Sequence, residues 1–114
     1  MNDNQVPEGW PEGLDPRATL ALIDRGQGVL VDVREPQEWQ IARIDGAVLI
    51  PLGEVPQRYG EIDKNQLVVC QCRSGVRSAK AASFLRSVGF ERVVNLTGGI
   101  LRWSDEVDPT QPKY

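Results

Sequence analysis

The segment QLVVCQCRSGVRSAKAASFLRSVG, residues 66–89, decides the fold. Its first six residues, Gln66–Gln71, form a valine-rich apolar run and read as a strand buried on both faces. From Ser78 to Val88 the spacing becomes helical, with Ala79, Ala82, Leu85 and either Phe84 or Val88 on one face. Gly89 then supplies the residue that ends such a helix. Between the two lies Cys72-Arg73-Ser74-Gly75-Val76-Arg77. Packing alone does not call for a cysteine, two arginines, a serine and a glycine at a strand-to-helix turn. A loop arranged around an anion and a thiolate does.

The alternation continues on both sides of this unit. Asp15-Pro16 reads as an N-cap followed by proline at the first helical position. The helix that follows points Leu20, Ile23 and Ala21 inward and stops at Gly26. Gly28–Val33 is a β-branched strand, Glu35–Ala42 a short helix opened by proline, and Ala47–Ile50 a strand closed by Pro51. Val55–Tyr59 makes one helical turn, Arg92–Leu96 is a strand, and GGILRWS opens the last helix. Residues 1–13, rich in proline and glycine, read as an extended arm pinned by Trp10. Residues 14–104 form the domain and 105–114 an irregular tail.

Strands alternating with helices imply an α/β fold: a largely parallel sheet of four to five strands, with helices on both faces. Ligands in such folds sit beyond the carboxyl ends of the strands. That rule selects Asp32-Val33-Arg34, the loop from Cys72, and Thr97-Gly98-Gly99.

Composition narrows the chemistry. The 114 residues suit one compact domain, and a formal charge of −3 argues against nucleic acid or an acidic membrane as the main partner. There is no histidine, which removes Cys-His catalysis, Ser-His-Asp triads and nearly all zinc sites. No metal and no organic cofactor are expected. Cys70 and Cys72 stand too close together to staple the chain, which fits a reducing, cytoplasmic setting. No apolar run reaches membrane-spanning length.

The loop's own chemistry singles out Cys72. Backbone N–H groups at a helix start, with Arg73 and Arg77 nearby, favour a thiolate; cysteines so placed titrate at about 3.5–7.5. Gly75 permits the backbone to turn closely around the sulfur. Cys70, inside the apolar run, reads as a small core residue.

The sequence Cys72 to Ala81, C-R-S-G-V-R-S-A-K-A, resembles the active-site loop of rhodanese-domain sulfurtransferases. Val31–Trp39, Ile44–Leu52 and Gly89–Trp103 resemble further segments of that family, in its order and spacing. The end, WSDEVDPTQPKY, resembles the C-terminus of rhodanese domains attached to adenylyltransferases that serve sulfur-carrier proteins. One departure lies at Ala42–Ala47, where the family often carries Gly-His-Ile-Pro-Gly-Ala. Histidine and proline are missing here, which bears on substrate preference.

The resemblance implies transfer of sulfane sulfur from thiosulfate or a protein persulfide, through a Cys72 persulfide, to a nucleophilic acceptor such as a sulfur-carrier protein. The amides from Arg73 through Ser74, Gly75 and Val76 to Arg77 would cradle the outer sulfur, with Ser78 in support. Arg77 would brace the loop, with Asp32 as its partner. Arg73 would meet an anionic donor. Asp32 and Arg34 have two roles open, scaffold ion pair or substrate contact, and scaffold is favoured.

Two other functions compete. Cysteine phosphatases and arsenate reductases need five residues between cysteine and arginine to surround a tetrahedral oxyanion. Here four separate Cys72 from Arg77, and six separate Cys70 from it. A docking module or sulfur relay for a partner protein is the other alternative.

Overall fold

A computed structural model describes residues 13–114; the arm before them, with Trp10, lies outside the described residues. The elements are β1 (Gly13–Leu14), α1 (Pro16–Asp24), β2 (Gly28–Asp32), α2 (Pro36–Ile41), β3 (Val48–Leu49), α3 (Val55–Arg58), β4 (Leu67–Gln71), α4 (Val76–Ser87), β5 (Val93–Leu96) and α5 (Gly99–Glu106). The strands form one five-stranded sheet in the order β1-β5-β4-β2-β3, and every pairing is parallel. This is the α/β architecture expected, at the upper strand count. The fifth strand takes Gly13 from the segment read as an arm. Two residues show no periodicity, and they pair only because Asn95 and Leu96 offer them an edge.

Local chemistry places the helices. Asp15 caps α1, its Oδ1 accepting from the Ala18 amide at 2.7 Å, with Pro16 opening the helix. Gly26 ends the following turn at φ +66°. Leu20 and Ile23 pack inward with Leu22, whereas Ala21, read as inward, is exposed.

Each face of the sheet carries its own core. On one side α4 sets Ala81, Ala82 and Leu85 against Val68, Cys70 and Val93, with Val55 of α3 and Phe90 closing the edge. On the other, Leu30, Val69, Val94 and Leu96 meet Ile100 and Trp103 of α5 and half-buried side chains of α1. The inward stripe of α4 is Ser78, Ala81, Ala82 and Leu85. Ala79, assigned to that stripe from the spacing, is exposed. Ala82 and Leu85 are inward as expected; Ser78, which faces Cys72, lies near the centre of the stripe, and Ala79, about 100° further round the helix, falls outside it. Arg86 of the same helix lies over β5 and donates from Nη2 to the Val93 carbonyl at 3.1 Å.

Helix α5 runs to Glu106, two residues into the segment read as tail. The rest of the tail is irregular but held down. The Ser104 hydroxyl donates to the Gln111 carbonyl at 2.9 Å, and Gln111 Nε2 donates to the Arg43 carbonyl at 2.7 Å. Among the described residues no helix is long and apolar enough to cross a membrane.

Strands β2 and β4 are neighbours, but the chain leaves them toward opposite faces. After β2 it enters the core that holds Ala42 and Ile44, and after β4 it enters the core under α4. The crevice this leaves at their carboxyl ends is where open parallel sheets bind ligands.

Candidate active site

Cys72 sits at that crevice, directly after β4, and is only 1% exposed. The chain folds back over its sulfur because Gly75 adopts φ +107°, a conformation open to glycine and strained for other residues. The Gly75 amide then donates to Cys72 Sγ at 3.1 Å and the Ser78 amide donates at 3.4 Å. The Ser78 hydroxyl lies 3.3 Å from the same sulfur. Gly75 caps α4, so these donors are drawn from helix-start amides that have no partner within the helix. Burial alone would push the Cys72 thiol up. The hydroxyl of Ser78 and the amides of Ser78, Gly75 and Ser74 outweigh it, and the net shift is downward. Cys70, two residues back, has only burial of consequence. It is fully buried, and its thiol is pushed up to about 12.

The loop is held from behind by the start of α5. The Ile100 amide donates to the Cys72 carbonyl at 2.9 Å, and the Leu101 amide donates to the Arg73 carbonyl at 3.2 Å. Gly98 and Gly99, at φ +82° and +63°, bring the two backbones together. The Thr97-Gly98-Gly99 turn therefore does meet the cysteine loop, as its place at a strand end implied.

The arginines divide the surroundings. Arg77 makes a two-pronged ion pair with Glu38 of α2, Nη1 to Oε1 at 2.6 Å and Nη2 to Oε2 at 2.8 Å. It does not pair with Asp32, as expected from the sequence, because Arg34 takes both oxygens of that carboxylate. Arg34 Nε and Nη2 donate to Asp32 at 2.7–3.1 Å, and both residues are fully buried. Nη2 of Arg34 also reaches the Ala42 carbonyl at 2.6 Å, and Nη1 reaches the Tyr114 hydroxyl at 2.7 Å. Such a pair, with its remaining protons spent on the scaffold, has no free donor for a substrate. Arg73 turns to the tail. Its Nε donates to the Tyr114 carbonyl at 2.7 Å, and its guanidinium lies 5.3 Å from the centre of the Tyr114 ring.

The Arg77 guanidinium holds the Glu38 carboxyl down to about 2, against an ordinary value near 4.5. A carboxyl depressed on folding stabilises the protein above its unfolded pKa and stops doing so as pH falls through the folded one. Glu38→Gln is therefore expected to lower stability by about 1–2 kcal/mol at neutral pH, allowing for the part-exposed arginine. In urea unfolding followed from pH 7 downward, the gap from the parent should narrow between about 4.5 and about 2. A gap independent of pH would show that the ion pair contributes nothing.

Residues 15–106 match the rhodanese-like domain model. The chain belongs to the rhodanese-like family. It is 36% identical over 104 residues to a probable adenylyltransferase/sulfurtransferase, MoeZ, of Mycobacterium tuberculosis. That match covers 89% of this chain and 26% of the relative, so the chain spans about a quarter of that protein's length. It is 42% identical over 83 residues to a sulfurtransferase of Allochromatium vinosum, covering 73% of this chain and 78% of the relative. Among solved structures, reduced Bacillus anthracis CoADR-RHD superposes with a TM-score of 0.81 at 30% identity, covering 94% of this chain and 19% of that one.

Within this rhodanese-like domain the sequence pointed to the loop and missed three of its neighbours. Asn95 stands in β5 between buried valines and Leu96, and its carboxamide touches both Ser78 and the loop. An asparagine inside an apolar strand was the available signal. Glu38 reads as a helix-start residue, and its Oε1 does accept from the Glu35 amide at 3.0 Å. Nothing local announces its ion pair with Arg77. Tyr114 lies in a segment without pattern, yet its hydroxyl donates to Glu38 Oε2 at 2.8 Å. Trp103 is a core residue and Trp39 a rim residue stacked under Arg43, 5.2 Å from its guanidinium.

Proposed function

We propose that this rhodanese-like domain is a sulfurtransferase that carries sulfane sulfur on Cys72. The observation that carries the reading is the ring of donors on one buried sulfur, which favours a thiolate where no histidine exists. The sulfurtransferase names of its relatives support the same class of chemistry.

The thiolate of Cys72 attacks the outer sulfur of thiosulfate. A sulfur–sulfur bond forms at Cys72, the donor's own sulfur–sulfur bond breaks, and sulfite leaves with the electron pair. The persulfide keeps one negative charge, now on its outer sulfur. The amides of Gly75 and Ser78 face Sγ, which leaves the helix-start amides of Val76 and Arg77 to receive that charge, as an oxyanion hole would. An acceptor such as cyanide then attacks the outer sulfur, the persulfide bond breaks, and the Cys72 thiolate returns as thiocyanate leaves. Arg77, fixed by Glu38, supplies positive potential at the loop.

A protein donor or acceptor is the second reading, and two observations favour it. Val76 stands beside the loop at the start of α4 and is 64% exposed, where an approaching protein would meet it. Arg73, the arginine best placed in sequence to meet thiosulfate, is engaged by the tail. A sulfur-carrier protein or a persulfide-bearing protein would then be the physiological partner, in the cytoplasm.

The test is thiosulfate:cyanide turnover beside the pH dependence of iodoacetamide alkylation. Cys72 should alkylate with a midpoint below that of an ordinary thiol, and Cys70 should stay unmodified in the folded protein. Saturation at low thiosulfate would favour the small donor. Slow, unsaturable turnover with rapid loading by a cysteine desulfurase would favour the relay. An ordinary midpoint for Cys72 would overturn the activated-thiolate account.

A further inference from the structure

Asn95 is tied to both sides of the sulfur site. Its Nδ2 donates to the Gly75 carbonyl at 3.0 Å, and its Oδ1 accepts from the Ser78 hydroxyl at 2.5 Å. A carbonyl can only accept, so the Gly75 contact fixes which end of the carboxamide faces Ser78. Ser78 itself is fully buried, and its hydroxyl has one proton and two neighbours that can take it: Asn95 Oδ1 and Cys72 Sγ.

We propose that Asn95 is a positioning residue that holds the Ser78 proton whenever Cys72 Sγ carries no charge. The inference rests on the sulfurtransferase reading and adds a second proton acceptor to it. With Cys72 as a thiol, the S–H donates to Ser78 Oγ and the hydroxyl donates to Asn95. With Cys72 as a thiolate, the hydroxyl turns to the sulfur and leaves Asn95 Oδ1. With Cys72 as a persulfide, the charge has moved one atom outward, Sγ is a poor acceptor, and the hydroxyl returns to Asn95. No bond to carbon or sulfur is made or broken by the turn, and no proton leaves Ser78. Asn95 thus favours the two states in which Sγ is neutral. It works against the bare thiolate and for the loaded persulfide.

The charged groups around Cys72 do not duplicate this effect. Arg77 of α4 faces the sulfur's charge, and Glu38 of α2 is spent on Arg77. Asp32 and Arg34 of β2 neutralise one another, Arg73 is turned to the tail, and Cys70 of β4 stays a neutral thiol.

The test is the alkylation midpoint of Cys72 in four proteins: the parent, Asn95→Ala, Ser78→Ala and the double variant. Asn95→Ala should move the midpoint down, because the hydroxyl is released to the thiolate, and should move it little when Ser78 is already alanine. Sulfur loading from thiosulfate should fall by about three- to tenfold, the range that one hydrogen bond spans. A residue that merely braces the loop through Gly75 would do the opposite. Its loss would slacken the amides and raise the midpoint, equally with or without Ser78, and that result overturns the proposal. Should Asn95→Ala not fold, Asn95→Asp serves. It should raise the midpoint more with Ser78 present than with alanine there, and an equal rise overturns the proposal. The midpoints do not depend on sulfur chemistry. A parent that never loads sulfur would count against the sulfurtransferase reading alone.

Discussion

Cys72→Ser is expected to abolish sulfur transfer, lowering turnover by on the order of 10⁴-fold or more, toward the uncatalysed rate. The hydroxyl would occupy the same buried place and accept from the same amides. With the amide donors still paired to that hydroxyl, the exchange should cost no more than about 1 kcal/mol of stability, roughly the net worth of one hydrogen bond. The variant therefore separates chemistry from architecture: a folded domain, with its melting temperature nearly unchanged, that carries no sulfur. Cys70→Ser makes the contrasting case. That thiol is fully buried and remains protonated, so serine there should disturb the core and leave transfer in whatever protein folds. If Cys70→Ser removed transfer and Cys72→Ser did not, the assignment of the nucleophile would be wrong.

Gly99→Ala should be the most damaging exchange outside the cysteine. A Cβ at this position would stand 2.4 Å from the Arg73 carbonyl oxygen and 2.5 Å from the Arg73 carbonyl carbon and the Cys72 carbonyl oxygen. All three are backbone atoms of the cysteine loop, so no side chain can swing aside. The φ of +63° adds about 1–2 kcal/mol for any residue with a Cβ. Together these should destabilise the domain by at least about 3 kcal/mol. In protein that still folds, the loop must shift, and a displacement near 1 Å is enough to lower transfer by about 10²-fold. Gly53→Ala is the matching control, since a Cβ there meets nothing within 4 Å. Equal stability of the two variants in urea would contradict the close backbone contact.

These two predictions mark what the sequence made legible. The strand–loop–helix unit from Gln66 to Gly89 was readable because its signals are local: an apolar run, a glycine, then helical spacing. The parallel sheet followed from alternation, since parallel neighbours need crossovers. Cys72 stood out because its surrounding residue types have no packing purpose. Other features depend on pairs distant in sequence. Arg77 meets Glu38 across 39 positions, and Tyr114 meets Glu38 across 76. No local pattern encodes either, and Asp32, the partner that the sequence suggests for Arg77, is held by Arg34. Ala79 was misplaced for a related reason. The helical spacing fitted it as well as Ala81, but the stripe is centred near Ser78, which faces the sulfur, and Ala79 falls outside it. Asn95 broke the apolar pattern of its strand, but what it touches lies in another element.

The measurement that tests the central claim most directly is intact mass with peptide mapping. The protein is treated briefly with thiosulfate, or with a cysteine desulfurase and cysteine, and then with cyanide. Gain of one sulfur atom on the peptide bearing Cys72, lost on adding cyanide as thiocyanate appears, is the predicted result. No sulfur on Cys72 from either donor would contradict the account and leave a rhodanese-like domain that binds a partner without carrying sulfur.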